Sequence, residues 1–251
     1  GQLKSIDDIT FNFEALKNNY GIKFIHETAI NIDPDKKIII TDKQNIIYDK
    51  LILSPGVQLD YSTIENWNES YREDFPAAWK AGEETILLSN KIKNLPNGGI
   101  VAISIPLGPY RCPPGPYERI SMVAHILKER NPSAKIVVID PKKKFSKQGL
   151  FMAGWEKHYP GMVEWIDSET HGGIKRVNHT TMEIETDIDT FKADAASVVP
   201  AQRAGAIAMA AGVNKGDWCP IVPASMQSKA DSNIYVLGDA SVASAMPKSG
   251  F

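Results

Sequence analysis

The fold is decided by residues 100–140, which read IVAISIPLGPYRCPPGPYERISMVAHILKERNPSAKIVVID. Two short runs rich in β-branched residues, 100–105 and 135–140, flank a segment with helical periodicity from about 116 to 130. Apolar residues recur along one face of that segment, at Ile120, Val123, Ala124 and Leu127. The pattern predicts a βαβ unit with parallel strands, in which the apolar face of the helix packs on the sheet.

The loop between the first strand and the helix has the wrong composition for a nicotinamide dinucleotide. Such a loop carries a G-x-G-x-x-G run, because glycines let the backbone approach the pyrophosphate. Here five prolines stand between positions 106 and 116, and proline removes backbone donors and stiffens the chain. We therefore expect no NAD(P) in this unit. Asp140 lies where a ribose-binding acid would follow the second strand, and without the glycine loop we interpret it as a strand-end residue.

The same loop offers a thiol, Cys112, directly after Arg111 and shortly before the predicted start of the helix. A neighbouring positive charge and a helix N-terminus both favour the thiolate form, which is the reactive one. The alternative is that Cys112 is a small buried hydrophobic residue. Glu118, in the first helical turn, either complements the helix dipole or transfers protons to and from a sulfur species near Cys112. These residues alone leave both pairs of alternatives open.

Short β-rich runs also occupy the region before this unit, at 22–25, 38–41, 46–47 and 51–53. Turn residues separate them, so the sequence predicts a small antiparallel meander. The last run ends in Ser54-Pro55-Gly56, where glycine relaxes the backbone restriction. Either a main chain passes close to a ligand at this point, or these three residues form a tight surface turn.

Near the end of the sequence an apolar strand, 234–237, runs into Gly238-Asp239. An apolar strand that presents Gly-Asp at its carboxyl end matches the second flavin fingerprint, in which the acid accepts hydrogen bonds from ribityl hydroxyls. The following residues, 246–250, include Pro247 and Lys248 and look like the start of a helix. The N-terminus of such a helix, together with Lys248, would stabilise negative charge on a reduced flavin ring.

Composition excludes several classes of protein. The chain has 251 residues, 43% hydrophobic and 23% charged, with a formal net charge of -2. These values are typical of a globular protein, and the near-neutral charge does not favour binding to nucleic acid. No run approaches the ~18 apolar residues of a membrane-spanning helix. The two cysteines, Cys112 and Cys219, are too few for a disulfide scaffold or a structural zinc site, and we predict no metal.

Several motifs together resemble the flavoprotein subunit of flavocytochrome c sulfide dehydrogenase. The resemblance extends through nearly the whole chain in order, and the cysteine loop is its most specific part. It rests on the residues 32–37, 78–83, 110–119, 145–148, 200–205, 216–220, 238–240 and 246–250.

The resemblance implies a truncated α/β flavoprotein with two dinucleotide-binding domains of Rossmann-like, three-layer type. Its domains would comprise 1–94 (part of the FAD-binding domain, with the meander), 95–216 (the second domain, with the cysteine loop) and 217–251 (a return segment of the FAD-binding domain). In such an enzyme sulfide attacks a redox-active disulfide, and electrons pass through FAD to a c-type cytochrome subunit. The family works in the bacterial periplasm, and we expect that location here.

Site residues follow from the same resemblance. Cys112 matches one redox cysteine and Glu118 a proposed acid/base residue. The flavin would contact Ser54, Pro55, Gly56, Gly238, Asp239, Pro247 and Lys248. Cys219 matches a different cysteine of the family, so pairing it with Cys112 is not implied.

The chain also departs from the family pattern. The glycine-rich N-terminal flavin fingerprint, the second redox cysteine and the C-terminal domain are missing, so we expect an internal fragment that is inactive by itself. Three alternatives remain at this point: a sulfide:quinone oxidoreductase, a folded module that cannot hold FAD, and an NADH-dependent disulfide reductase. The last is disfavoured because the phosphate loop and a Cys-x-x-x-x-Cys pair are absent from the sequence.

Overall fold

The computed structural model describes residues 5–243. The α-helices of this part of the chain are α1 (Glu14–Tyr20), α2 (Glu83–Lys93), α3 (Gly115–Arg130), α4 (Gln148–His158), α5 (Ser168–His171) and α6 (Ala206–Ala210). Short 3-10 helices lie at Ile6–Ile9, Tyr61–Thr63, Glu69–Glu73 and Gly238–Ala240. Among these residues no helix is long and apolar enough to span a bilayer.

The strands are short and distributed over several sheets. The first group is β1 (Ala29–Asp33), β2 (Ile38–Thr41), β3 (Asn45–Ile47), β4 (Leu51–Leu53), β5 (Val57–Asp60), β6 (Ile100–Ser104), β7 (Lys135–Ile139) and β8 (Val163–Ile166). The second group is β9 (Ile174–Asn178), β10 (Glu183–Thr186), β11 (Thr190–Lys192), β12 (Ala195–Ser197), β13 (Ala201–Ala204), β14 (Cys219–Val222), β15 (Gln227–Ser228), β16 (Ile234–Val236) and β17 (Ser241–Val242).

The chain forms two compact units. We call residues 59–201, with the short 5–6 segment, the central unit, and residues 7–58 with 202–243 the split unit. These boundaries differ from the predicted ones at 94/95 and 216/217. Residues 59–94 belong with the central unit because Leu88 and Ile92 of α2 are buried in its core together with Val101 and Val123.

The central unit contains the predicted βαβ arrangement. Strands β6 and β7 pair in parallel, from Ile100 opposite Lys135 to Ser104 opposite Ile139, and α3 connects them. The sheet continues in parallel on both sides in the order β12-β6-β7-β8. The predicted apolar face of α3 is confirmed, since all four of its residues are at most 4% exposed. A separate antiparallel sheet has the strand order β11-β10-β9.

The split unit contains a meander that differs in part from the predicted one. Strands β1, β2 and β3 pair antiparallel, but the first strand is Ala29–Asp33 and not 22–25. Ile22 and Ile25 are 43% and 36% exposed, so these apolar side chains are not packed against a sheet. Strand β4 leaves the meander and pairs in parallel with β16.

Candidate functional site

Cys112 lies in the loop that connects β6 to α3. Its backbone has a left-handed φ of +54°, an uncommon conformation for a residue other than glycine, and its side chain is exposed. Its carbonyl oxygen accepts a hydrogen bond from the N–H of Gly115 at 2.8 Å. A Cβ placed on Gly115 would lie 3.0 Å from the Cys112 Sγ. The thiol therefore rests against the first turn of α3, at a position where glycine leaves room for sulfur.

Aromatic side chains support the loop around this thiol. The hydroxyl of Tyr110 donates a hydrogen bond to the carbonyl of Pro113 at 3.1 Å. This bond connects the residues before and after Cys112. The ring of Trp79 meets the ring of Tyr110 edge to face, with centroids 6.1 Å apart. Burial raises the pKa of Tyr110 to about 12, so its hydroxyl stays protonated and able to donate. The loop conformation is thus fixed by contacts on both sides of Cys112.

Arg119 connects the start of α3 to the segment before α2 through hydrogen bonds. Its guanidinium donates hydrogen bonds to the carbonyls of Ala77 at 2.7 Å and Ala78 at 2.6 Å, and lies 5.8 Å from the centre of the Trp79 ring. Ala78 has a φ of +47°, and its N–H donates to the Glu84 carboxylate at 2.8 Å. Burial lowers the pKa of Arg119 to about 10. The arginine thereby positions Trp79, which in turn contacts the tyrosine of the cysteine loop.

A groove of about 290 Å³ runs between α2 and α3. Its wall is mainly apolar and includes Leu88, Ile92, Met122 and Ile126. Glu118, which is exposed, lines the same groove and stands in the first turn of α3, where its negative charge also complements the helix dipole. We call this feature the α2–α3 groove.

Asp140 is fully buried and its carboxylate is saturated with donors. One oxygen accepts from the Tyr117 hydroxyl at 2.6 Å and from the indole N–H of Trp165 at 3.0 Å. The other accepts from the backbone N–H of Lys142 at 3.1 Å and from its Nζ at 2.6 Å. Burial, followed by Asp140, raises the pKa of Tyr117, while burial lowers the pKa of Lys142. All four hydrogen bonds to the carboxylate come from groups within the protein. This agrees with the interpretation of Asp140 as a strand-end residue.

The predicted flavin contacts of the split unit meet at one sheet edge. Strands β4 and β16 are parallel, with Leu53 opposite Val236, so Ser54 and Gly238 follow neighbouring strand ends. The N–H of Leu237 donates to the Leu53 carbonyl at 3.0 Å and continues the pairing to this edge. The carboxyl ends of parallel strands are the edge where α/β proteins bind nucleotides.

Two glycines open space at this edge. Gly56 and Gly238 have φ values of +64° and +67°, and no atom lies within 4 Å of the position where a Cβ would stand on either. Asp239, half-buried, follows in the 3-10 turn. Open space above the backbone of two glycines, with the Asp239 carboxylate beside it, is compatible with a bound dinucleotide whose ribityl hydroxyls donate hydrogen bonds to the acid.

Gly205, which directly precedes α6, packs against the Ser54-Pro55-Gly56 turn. Its N–H donates to the Gly56 carbonyl at 3.0 Å, and a Cβ on Gly205 would lie 2.6 Å from the Pro55 carbonyl oxygen. Only glycine allows the backbone of α6 to approach the Ser54-Pro55-Gly56 turn this closely.

Replacing Gly205 by Ala is therefore expected to destabilise the protein by about 1–3 kcal/mol, because the Pro55 turn must move to admit the methyl group. Urea unfolding measures the change. Gly154→Ala in α4 is the matched control, since no atom lies within 4 Å of its Cβ position, and it should stabilise by about 0.5–1 kcal/mol. Equal effects of the two substitutions would contradict the close approach.

The predicted site residues thus fall into two groups. Cys112 and Glu118 lie in the central unit, whereas the strand-end residues of β4 and β16 lie in the split unit. Pro247 and Lys248 lie outside the described residues. Cys219 belongs to the split unit and is fully buried, so Cys112 is the exposed cysteine of the pair.

Sequence reasoning missed the residues that hold the site in place. Arg119 has the sequence pattern of an ordinary charged helix residue, and its guanidinium binds carbonyls that lie about 40 positions earlier in the chain. Tyr117 gave a clearer signal, because a tyrosine beside the apolar face of a helix needs a buried hydrogen-bond partner. Gly205 lies in the motif at 200–205, but no local pattern marks its contact with the Pro55 turn.

The architecture is that of FAD- and NAD(P)-binding oxidoreductases. A FAD-dependent pyridine nucleotide-disulphide oxidoreductase from Desulfovibrio vulgaris matches with a TM-score of 0.56 at 14% identity, over 87% of this chain and 54% of its own. An engineered water-forming NADPH oxidase with bound NADPH matches with a TM-score of 0.57 at 14% identity, over 87% and 46%. Lactococcus lactis thioredoxin reductase matches with a TM-score of 0.53 at 15% identity, over 88% and 67%. The chain spans about half the length of the first two structures, and at these identities the likeness shows the fold.

One family model matches the central part of the chain. Residues 85–200 match the family of the sulfide dehydrogenase (flavocytochrome c) flavoprotein chain, central region. This segment contains Cys112, Glu118 and most of the central unit. The resemblance recognised in the sequence is thereby confirmed for this region.

Proposed function

We propose that this chain is part of a sulfide dehydrogenase flavoprotein, which oxidises sulfide to sulfur or polysulfide at a redox cysteine, Cys112, and passes electrons through FAD to a c-type cytochrome. The observation that carries the proposal is the exposed Cys112 thiol at the first turn of α3, inside the segment that matches the family. We use the term full-length enzyme for the longer flavoprotein of which this chain would be a part.

The chemistry at Cys112 begins from a disulfide with a second cysteine of the full-length enzyme. A hydrosulfide ion attacks one sulfur of that disulfide; one S–S bond breaks, one S–S bond forms, and the departing cysteine keeps the electron pair as a thiolate. Glu118, exposed in the first turn of α3, takes up the proton of the hydrosulfide. The fixed loop around Cys112 holds the sulfur in place while the partners exchange.

FAD would lie against the strand-end edge of the split unit. At Gly238 and in the Ser54-Pro55-Gly56 turn, the absence of a side chain would let the protein backbone approach the dinucleotide. Asp239 would accept hydrogen bonds from the ribityl hydroxyls. Pro247 and Lys248 would lie beneath the flavin ring by resemblance to the family. Bound FAD supplies a two-electron acceptor that releases single electrons to a cytochrome.

NAD(P) does not take part in the proposed reaction. The acid that would bind a ribose, Asp140, accepts four hydrogen bonds from within the protein. The Tyr117 that binds this carboxylate is itself buried under the ring of Phe145, with ring centroids 3.8 Å apart. By resemblance to the family, we place the full-length enzyme in the periplasm.

Acceptor choice tests the proposal against its nearest alternative, a sulfide:quinone oxidoreductase. Anaerobic sulfide is expected to reduce the flavin of the full-length enzyme, and the reduced enzyme should then reduce an oxidised c-type cytochrome at least tenfold faster than a soluble quinone. Stopped-flow absorbance follows both steps. Preferential reduction of the quinone would support the alternative, and a flavin that stays oxidised in sulfide would exclude both enzymes.

A further inference from the structure

A cavity of about 360 Å³ lies at the carboxyl ends of strands β6 and β7. Two loops of the central unit line it, one after each strand. The carboxyl ends of parallel strands are the edge of the sheet where α/β proteins bind ligands. We call this feature the β6–β7 cavity. Its wall includes Pro109, Tyr110 and Pro113 of the first loop and Lys142, Lys144 and Ser146 of the second.

The side chains that line this cavity give it a positive charge. Lys142 and Lys144 contribute ammonium groups, and within the described part of the chain no acidic residue lines the cavity. Among the same residues, the Lys142 Nζ donates one hydrogen bond, at 2.6 Å to the buried Asp140 carboxylate. An ammonium group has three N–H donors, so two of those on Lys142 remain for an acceptor in the cavity. The hydroxyl of Ser146 adds a further donor.

Lys144 carries the charge that the protein leaves unbalanced. Its neighbour Lys143 pairs with Glu169 at 2.6 Å. Lys142 pairs with Asp140, also at 2.6 Å. Lys144, in contrast, forms no ion pair within residues 5–243. An anion in the cavity would therefore supply the counter-charge that Lys144 lacks.

Helix α4 begins beside the cavity and adds to its positive potential. Ser146, which lines the cavity, shortly precedes the first residue of α4, Gln148. No side chain of the described residues caps this helix, and its first turn contains no acidic residue. The N-terminus of a helix carries a partial positive charge, which favours an anion nearby. The dipole of α4 and the ammonium of Lys144 therefore act on the cavity with the same sign.

Rigid neighbours hold Lys142 in position. Its Nζ lies 5.1 Å from the centre of the Tyr110 ring and 5.8 Å from that of Tyr117. The Tyr117 ring is fully buried and stacks on Phe145, which also lines the cavity, with centroids 3.8 Å apart. The ammonium group is therefore held in place before a ligand arrives, and a donor that is already ordered loses little entropy on binding.

We propose that the β6–β7 cavity binds a tetrahedral oxyanion with two negative charges, the class to which phosphate and thiosulfate belong. Such an ion complements the unbalanced ammonium of Lys144, the remaining donors of Lys142 and the N-terminus of α4. A water molecule takes about 30 Å³ in the liquid, so the cavity holds the ion together with several waters. The ion would bridge the loop that contains Cys112 and the loop after β7. The inference does not depend on the proposed function.

The test is a titration of the purified, ¹⁵N-labelled chain with sodium thiosulfate or sodium phosphate, followed by ¹H–¹⁵N NMR. Sodium chloride keeps the ionic strength constant, so that general screening does not change. The amide signals of Gly108, Tyr110, Lys144 and Ser146 are expected to shift and to saturate with either ion. Tighter binding of thiosulfate would identify a sulfur oxyanion as the ligand, and tighter binding of phosphate would identify phosphate. Either result supports the site.

Lys144→Gln removes the unbalanced ammonium and is expected to weaken the binding of both ions about tenfold, because a hydrogen bond between charged groups is lost. Lys143→Gln is the matched control, since it makes the same change at a side chain that pairs with Glu169 and does not line the cavity. Affinity should change by less than about twofold in the control, because salt screens a charge outside the cavity. Both lysines are exposed, so both variants should fold.

Amide shifts that grow without saturation, or that lie away from the cavity, would overturn the inference. Equal weakening in Lys144→Gln and Lys143→Gln would also overturn it, because the effect would then come from the general charge of the chain. Because the assay contains neither flavin nor sulfide, its failure is distinct from that of the proposed function.

Discussion

Replacing Asp140 by Asn is expected to lower the free energy of unfolding by about 2–4 kcal/mol, because it leaves buried donors without an acceptor at a cost of about 1–3 kcal/mol each. Each carboxylate oxygen accepts two hydrogen bonds, one oxygen from Tyr117 and Trp165 and the other from Lys142 twice. An amide NH₂ group in either orientation therefore faces two donors. The lysine would also lose its buried counter-charge. Urea unfolding of the purified chain measures the change.

Asp167→Asn is the matched control for this substitution. Asp167 caps α5, where its side chain accepts hydrogen bonds from the backbone N–H groups of Glu169 and Thr170. Asparagine caps a helix about as well as aspartate, so the control should change stability by less than about 0.5 kcal/mol. A loss below about 1 kcal/mol for Asp140→Asn would mean that the buried hydrogen bonds do not stabilise the central unit as described.

Replacing Cys112 by Ser in the full-length enzyme is expected to reduce the steady-state rate of sulfide-dependent cytochrome reduction by about 10³-fold or more, the scale seen when a residue that bonds covalently to substrate is removed. A serine hydroxyl can neither form the disulfide nor accept sulfur. Since Cys112 is exposed, the substitution leaves the core packing unchanged, and unfolding should occur at the same urea concentration.

Cys219→Ala separates this effect from a general sensitivity to cysteine loss. Cys219 is fully buried in the split unit, and alanine fills most of its volume. The control should keep the sulfide-dependent rate within about threefold, with a stability loss of about 1 kcal/mol from the lost sulfur atom. A rate that falls as far in Cys219→Ala as in Cys112→Ser would argue against a specific role for Cys112.

Local patterns predicted the parts of the fold whose residues are close in sequence. The βαβ arrangement around α3 could be predicted because its apolar periodicity and its two flanking strands lie within about 40 residues. The partner of β4 could not, because its pairing with β16 joins Leu51 to Ile234 and the sequence carries no local sign of that contact.

The same distinction applies to the candidate site. The Cys112 loop and the Gly238-Asp239 strand end were recognisable as motifs in the sequence. The hydrogen bonds of Arg119 and Asp140 depend on tertiary neighbours, namely the Ala77 carbonyl and the Trp165 indole. The sequence therefore predicted candidate residues for the chemistry, and the structure was needed to find the residues that hold these candidates in place.

The measurement that tests the central claim most directly is the anaerobic reduction of bound flavin by sulfide in a single turnover, for the full-length enzyme and its Cys112→Ser variant. The visible absorption of the flavin is expected to bleach in the natural enzyme and to persist in the variant with the same flavin content. Bleaching at the same rate in both proteins would show that sulfide delivers its electrons without Cys112, and would contradict the account.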